Sequence, residues 1–123
     1  MDTDYLTEKV IGCAIEVHRQ LGPGLLESSY EQCLMFELAQ AGINAQAQIA
    51  LPIAYKGMMI EAGYRVDILI PGRLVLELKS VDKLMPIHTA QMLTYLKLSG
   101  VRKGLLINFN VNKLTNGLKR IVL

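Results

Sequence analysis

Two runs of residues, Tyr64-Arg65-Val66-Asp67-Ile68-Leu69-Ile70 and Leu74-Val75-Leu76-Glu77-Leu78-Lys79, are apolar at most positions yet carry an aspartate, a glutamate and a lysine. Apolar runs of this length, separated by Pro71-Gly72-Arg73, read as strands covered on both faces, so the rest of the chain has to supply a layer on each side of a sheet. A lone carboxylate placed among such residues costs several kcal/mol unless it is paired or bound to a cation. Asp67, Glu77 and Lys79, each set among apolar neighbours, therefore constrain the fold and the chemistry together.

Side chains alternate across a strand, which puts Glu77 and Lys79 on one face and Leu74, Leu76 and Leu78 on the other. Whether Asp67 joins them depends on register. A strict two-residue turn at Pro71-Gly72 sets Asp67 opposite Leu76, facing away from Glu77. A loop of three residues, Pro71 to Arg73, sets Ile70 opposite Leu74 and Asp67 opposite Glu77, with β-carbons about 5 Å apart. A type I turn plus a bulge is a common three-residue connection, and that register is the expected one.

The remainder of the chain divides by period. Leu6, Val10, Ala14, Val17 and Leu21 form a helical stripe over Asp4 to Leu21, stopped by Gly22-Pro23-Gly24. A second helix is expected from about Leu25 to Ala41, with Leu26, Tyr30, Leu34, Leu38 and Ala41 inward and Gly42 as its end signal. Ile49 to Tyr55 reads as one strand, Lys56-Gly57 as a turn and Met58 to Ile60 as a short continuation. Strands over Gly63 to Ile70 and Leu74 to Ser80 follow. Helical spacing returns from Ile87 to Ser99, with Pro86 suited to the first turn and Gly100 to the end. Gly104 to Phe109 and Leu118 to Leu123 read as strands around an Asn-rich turn. The order α-α-β-β-β-α-β-β predicts an α/β (α+β mixed) fold, one mixed sheet flanked by helices.

With 123 residues, 51% of them hydrophobic, the chain has the size and apolar content of one packed domain, 1–123. No apolar run approaches the roughly 20 residues of a membrane span. The opening Met1-Asp2-Thr3-Asp4 is acidic, unlike a secretory signal. A cytoplasmic protein without a membrane partner is expected. Cys13 and Cys33 have no partner at metal-ligand spacing and read as reduced core thiols, with a zinc site or redox pair as the alternative. The net charge of +2 hides an asymmetry: through Asp82 there are eleven acids against six bases, and from Lys83 onward there are seven bases and no acid. Such a block suits a polyanion, because each Lys or Arg meeting a phosphate can release a counterion. It equally describes a solvated basic face.

Two like charges so close are not both ionised without help, and a divalent cation supplies it. Asp67, Glu77, waters and a backbone carbonyl, for which Leu78 is placed, suit Mg2+ or Mn2+. Such an ion would polarise a phosphate oxygen and acidify a bound water, and Lys79 could orient that water or stabilise developing charge. The bland reading of the same residues is a cross-strand ion pair between Lys79 and either acid.

Asp67 with Glu77-Leu78-Lys79 resembles the PD-(D/E)XK motif of restriction-endonuclease-like enzymes, with Val66 where the motif's name has proline. Gln91-Met92-Leu93-Thr94-Tyr95 looks like the Q-x-x-x-Y element found after that motif in one branch of them. Gly24-Leu25-Leu26-Glu27-Ser28-Ser29-Tyr30 is similar to the signature of the GxxExxY family, grouped with these nucleases, as are Val17 to Gly24 and Ile107-Asn108-Phe109. The resemblance covers nearly the whole chain. It implies a restriction-endonuclease-like core with the motif acids on adjacent central strands, and divalent-metal cleavage of DNA or RNA. It also implies a metal-proximal glutamate on an early helix, which matches Glu27. The plain reading of Glu27 is a first-turn acid meeting the helix dipole.

Tyr30 shares the face of Glu27 and is a candidate substrate contact, its alternative being a core aromatic with a satisfied hydroxyl. Gln91 and Tyr95 share a helix face with His88. Gln91 is expected to hold Lys79 or a phosphate, and Tyr95 to donate to the same phosphate, with Lys97 a further substrate contact. His88 reads as a helix-start hydrogen-bonding group and His18 as a core-edge histidine. The expected catalytic set is Asp67, Glu77, Lys79, Gln91 and Tyr95, with Asp67, Glu77, Leu78 and Glu27 toward the metal. The basic C-terminal third would neutralise backbone phosphates, and a homodimer or larger partner is expected to add contact surface. A binding module that keeps the fold without catalysis, and a structural protein with an internal ion pair, are the rival readings.

Overall fold

The computed structural model describes residues 2–123. Among them, α1 (Thr3–Leu21) starts at Asp2, whose carboxylate accepts from the N–H groups of Asp4 and Tyr5, and ends at Gly22, with φ of 69°. Of its expected stripe, Leu6, Val10, Ala14 and Val17 are buried as the period predicts, while Leu21, in the last turn where the chain leaves the helix, is 37% exposed. The second helix, α2 (Glu27–Gln40), starts two residues later than expected and buries Tyr30, Leu34 and Leu38. Leu26, expected inward, is the residue before that helix and is 75% exposed, because the Gly22–Leu26 loop has not yet entered the helical period.

Five strands form the main sheet, in the order β1 (Gln46–Ala50), β4 (Arg65–Ile70), β5 (Leu74–Lys79), β6 (Lys103–Asn108), β7 (Leu118–Val122). All neighbours are antiparallel except β5 and β6, which run parallel and are joined through α3 (Pro86–Ser99), since parallel strands need a long crossover. A short 3-10 helix, Leu114–Gly117, precedes β7. The expected strand from Ile49 to Tyr55 is two strands. Pro52 has no N–H to continue a ladder, so β1 stops at Ala50, and β2 (Ile53–Tyr55) folds back on β3 (Met58–Ile60) as a separate hairpin. Its turn residues Lys56 and Gly57 both have positive φ, 47° and 81°, the hairpin geometry whose twist matches the strands.

The sheet is covered on both faces, as its apolar strands require. Ile68, Ile70, Leu74, Leu76, Leu78, Leu105 and Ile107 pack in one layer with the stripes of α1 and α2. Val75, Leu106 and Ile121 pack in the other with Met92, Tyr95 and Leu96 of α3. Cys13 and Cys33 are half-buried free thiols against the first layer. No helix among the described residues is long and apolar enough to cross a membrane. The loop between β4 and β5 gives Ile70↔Leu74, Leu69↔Val75 and Ile68↔Leu76, the three-residue register.

Candidate active site

That register brings Asp67 and Glu77 to adjacent positions where the β4–β5 ladder ends. Beyond Ile68↔Leu76, side chains take over from ladder bonds. Glu77 Oε1 accepts from the Asp67 N–H at 2.9 Å, and Asp67 Oδ2 accepts from the Leu78 N–H at 2.8 Å. The strand turns over here: Val66 packs in the α3 layer although Ile68 and Ile70 pack in the α1/α2 layer. On the other side of β4 the β1 ladder also skips a step, passing from Ala47↔Ile68 to Ile49↔Val66. The residue left between, Gln48, has φ of 56°. Asp67 thus sits in a local opening of the sheet, its carboxylate between two strands.

Glu77 is 3% exposed. Burial first, and then the Asp67 carboxylate against it, push the Glu77 carboxyl up to about 8, against the opposing pull of the Asp67 N–H and Lys79. Without a cation, that raised value keeps a proton on Glu77 at neutral pH. Oxygen-only donors from one buried and one half-buried carboxyl are the chemistry that fits a hard divalent ion, and Leu78, whose side chain is buried in the opposite layer, offers only backbone to it. Among the described residues no three acidic, histidine or cysteine side chains converge as a metal-binding group, so Asp67 and Glu77 stand as a pair of carboxylates.

Lys79 ends β5 and is half-buried. Its Nζ donates to Gln91 Oε1 at 3.4 Å, joining the strand to α3. Tyr95, one turn along, is 5% exposed and meets Tyr64 edge-on at 6.4 Å. Burial, and behind it the charges of Glu77 and Asp67, raise its phenol. Asp67, Glu77, Lys79, Gln91 and Tyr95 are therefore brought together. Gln91 also lines, with Tyr64 and His88, a cleft of about 430 Å³.

Glu27 is exposed at the start of α2, where its Oε2 accepts from the Ser80 N–H at 3.3 Å. Ser80 Oγ donates to the Leu25 carbonyl at 2.7 Å. These contacts fasten the loop before α2 to the end of β5, along a cleft of about 630 Å³ walled by Gly24, Glu27, Ser80 and Asn110. Glu27 is beside the strand that carries Glu77 and Lys79, but its carboxylate is engaged with backbone.

Two expected substrate contacts are not brought to the site. Tyr30 is wholly buried and stacks on Phe109, centroids 4.3 Å apart, while its hydroxyl donates to the Gly22 carbonyl at 2.6 Å and accepts from the Leu25 N–H at 3.1 Å. Both hydroxyl functions are spent on the loop. Lys97 is exposed on α3, and at 100° per residue it lies about 200° around the helix from Tyr95. The basic third of the chain is also dispersed. Lys103 pairs with Asp4 at 2.7 Å, and Arg120 pairs with Glu8. Lys103 begins β6 at the opposite end from Asn108, the partner of Lys79, so these two charges serve α1 and not the site. His88 Nδ1 accepts the Met85 N–H at 2.9 Å, a helix-start bond, and buried His18 Nε2 lies 2.7 Å from the Val111 carbonyl oxygen.

Three residues were given no site role by the sequence reading. Glu31, one turn after Glu27, accepts a hydrogen bond from Gln48, and helical spacing from Glu27 was the available signal. Burial and the Asp67 charge raise its carboxyl, the Gln48 bond opposing them. Gln48 itself gives no local signal. Asn108, 2% exposed, holds both backbone groups of Val81, accepting its N–H at 3.1 Å and donating to its carbonyl at 2.9 Å. A lone polar residue ending an apolar run was its trace.

Comparison with known proteins agrees with this architecture. Residues 4–121 match the family model of the PD-(D/E)XK nuclease superfamily. The crystal structure of SSO0001 is similar in fold, with a TM-score of 0.59 and 23% identity over 78% of this chain and 50% of that one. The chain thus spans half the length of that solved structure. A search of curated proteins finds no match. The mixed sheet with helices on both faces is the restriction-endonuclease-like fold expected from the sequence.

Proposed function

The chain belongs to the PD-(D/E)XK nuclease superfamily, and from that premise we propose that it is a divalent-metal-dependent nuclease of the GxxExxY type, a single cytoplasmic domain cleaving phosphodiester bonds of DNA or RNA. The observation that carries this reading is the carboxyl of Glu77, buried against Asp67 and one strand step from Lys79. An acid in that position weakens a purely structural sheet, and a cation converts the cost into binding. A bound Mg2+ or Mn2+ would supply Lewis acidity to a phosphate oxygen and a more acidic water.

The protein's own groups divide the remaining work. Asp67 and Glu77 would hold the ion, with the Leu78 carbonyl as a backbone donor and Glu27 at the margin. The Leu78 N–H fixes one oxygen of Asp67, and the Asp67 N–H fixes one oxygen of Glu77, so both carboxylates are oriented before any ligand arrives. Lys79, steadied by the Gln91 amide, would stabilise charge developing on the phosphate. Tyr95 would donate a hydrogen bond to a phosphate oxygen, since burial and the neighbouring acids raise its pKa and weaken its acidity, keeping the hydroxyl protonated at neutral pH.

The test is incubation with plasmid and with single-stranded DNA and RNA in Mg2+, Mn2+ or EDTA. Metal-dependent cleavage by the native chain, reduced at least ~100-fold in Lys79→Ala, is the expected result. Salt-sensitive binding without cleavage at any metal concentration would replace the enzyme by a nucleic-acid-binding module. A homodimer or larger partner would extend the contact surface, and β7, an outer strand of the sheet, is one edge left to receive it. A monomeric sedimentation profile at micromolar concentration counts against the dimer.

A further inference from the structure

We infer that Gln48 is a positioning residue for the metal-binding carboxylates, clamping Asp67 from the side opposite Glu77; this rests on the metal-site reading above. Its backbone is the first observation. Gln48 has φ of 56° inside β1, a conformation uncommon for residues other than glycine, asparagine and aspartate. The step it occupies is the one missing from the β1–β4 ladder, directly across from Asp67. Arg65 Nη1 donates to the Gln48 carbonyl at 3.0 Å and pins the kink.

The side chain is the second. Gln48 Nε2 donates to Glu31 of α2 and stands 3.5 Å from Asp67 Oδ1. Asp67 Oδ2 is already held by the Leu78 N–H. With a donor on each side, the carboxylate of Asp67 has its plane set and its rotation about Cβ–Cγ restrained. The kink is what lets the amide reach both acids: an ordinary extended residue at this step would keep the ladder closed and aim its side chain along the strand's normal alternation. A glycine would adopt the same backbone without strain, so retaining a long amide where glycine is favoured points to work done by the side chain.

The experiment separates strain from function because the two move in opposite directions. Native protein, Gln48→Gly and Gln48→Met are compared by thermal melting in EDTA and by calorimetric titration with Mn2+ alone. Gln48→Gly is expected to melt at the same temperature as native protein or a few degrees above it, in line with relief of a left-handed residue, while its Mn2+ affinity falls about 10- to 100-fold, the usual effect of losing a group that orients a metal ligand. Gln48→Met, similar in length, uncharged and unable to donate, is expected to lose affinity likewise. Native-like Mn2+ affinity in Gln48→Gly overturns the inference and leaves the metal site standing. Absence of Mn2+ binding by the native protein at millimolar concentration overturns both. A purely structural role would lower the melting temperature of Gln48→Gly and leave the affinity of the folded fraction unchanged, which also overturns it.

Discussion

Glu77→Gln is expected to raise the melting temperature in EDTA at pH 8.5 by at least about 5 °C, and to abolish metal-dependent cleavage. The sign follows from the carboxyl. Its ordinary value is 4.5 and its folded value about 8, so between these limits the folded chain holds a proton that the unfolded chain has released. Stability contributed by this group therefore falls as pH rises from about 4.5 through 8 and is flat above. The full penalty is on the order of 5 kcal/mol, reduced to the extent that the opened sheet admits water. Glutamine avoids it: its carbonyl can keep the Asp67 N–H, and its amide can donate to Asp67 where the retained proton does. At pH 4 the carboxyl is protonated in the folded chain and largely so in the unfolded one, and the two proteins should melt within about a degree or two of each other. Equal melting temperatures at both pH values would mean that Glu77 is not held as described. The same substitution removes an anionic ligand, so cleavage should drop at least ~100-fold. A variant that is more stable and inactive is the signature of a site that spends stability on function.

Gly117→Ala should do the reverse damage, unfolding the protein through a residue with no chemical role. A β-carbon on Gly117 would lie 2.1 Å from the Asn108 carbonyl oxygen and 3.2 Å from Val111 Cγ2. The oxygen belongs to backbone at the end of β6 and has no rotamer to escape into. A cost of about 3 kcal/mol is expected, seen as a fall of ~10 °C or more in melting temperature. The effect should reach the site in molecules that remain folded. Asn108 holds Val81, and the neighbouring Phe109 N–H donates to the Lys79 carbonyl at 2.9 Å. Displacing that corner moves the strand end that carries Lys79. The control is Gly12→Ala in α1, where nothing stands within 4 Å of the new carbon and a helix-interior alanine should stabilise by about 0.5–1 kcal/mol. A melting temperature for Gly117→Ala within 2 °C of native protein would sink the argument.

The helices were legible because their apolar residues recur with the period of the turn, and their ends because Gly22 and Gly100 close them. The two central strands were legible because unbroken apolar runs need cover on both faces. Even the meeting of Asp67 with Glu77 was legible, since the loop from Pro71 to Arg73 sets register and register sets face. Pro52 was a signal passed over in the expected strand from Ile49 to Tyr55: its missing N–H was enough to divide β1 from β2.

What local pattern does not carry is the identity of distant partners. Lys103 and Arg120 were counted toward a polyanion, yet their carboxylates are supplied by α1, 99 and 112 positions away in the chain. Tyr30 sat on the right helix face to be either a core residue or a substrate contact, and the loop over its hydroxyl decided for the core. The kink at Gln48 has no antecedent in residue type. Periodicity and punctuation report which side of an element is buried and where the element stops, because those depend on a residue and its near neighbours. Which buried or charged group each side chain meets depends on how the layers close, and only the packed sheet with its helices settled that.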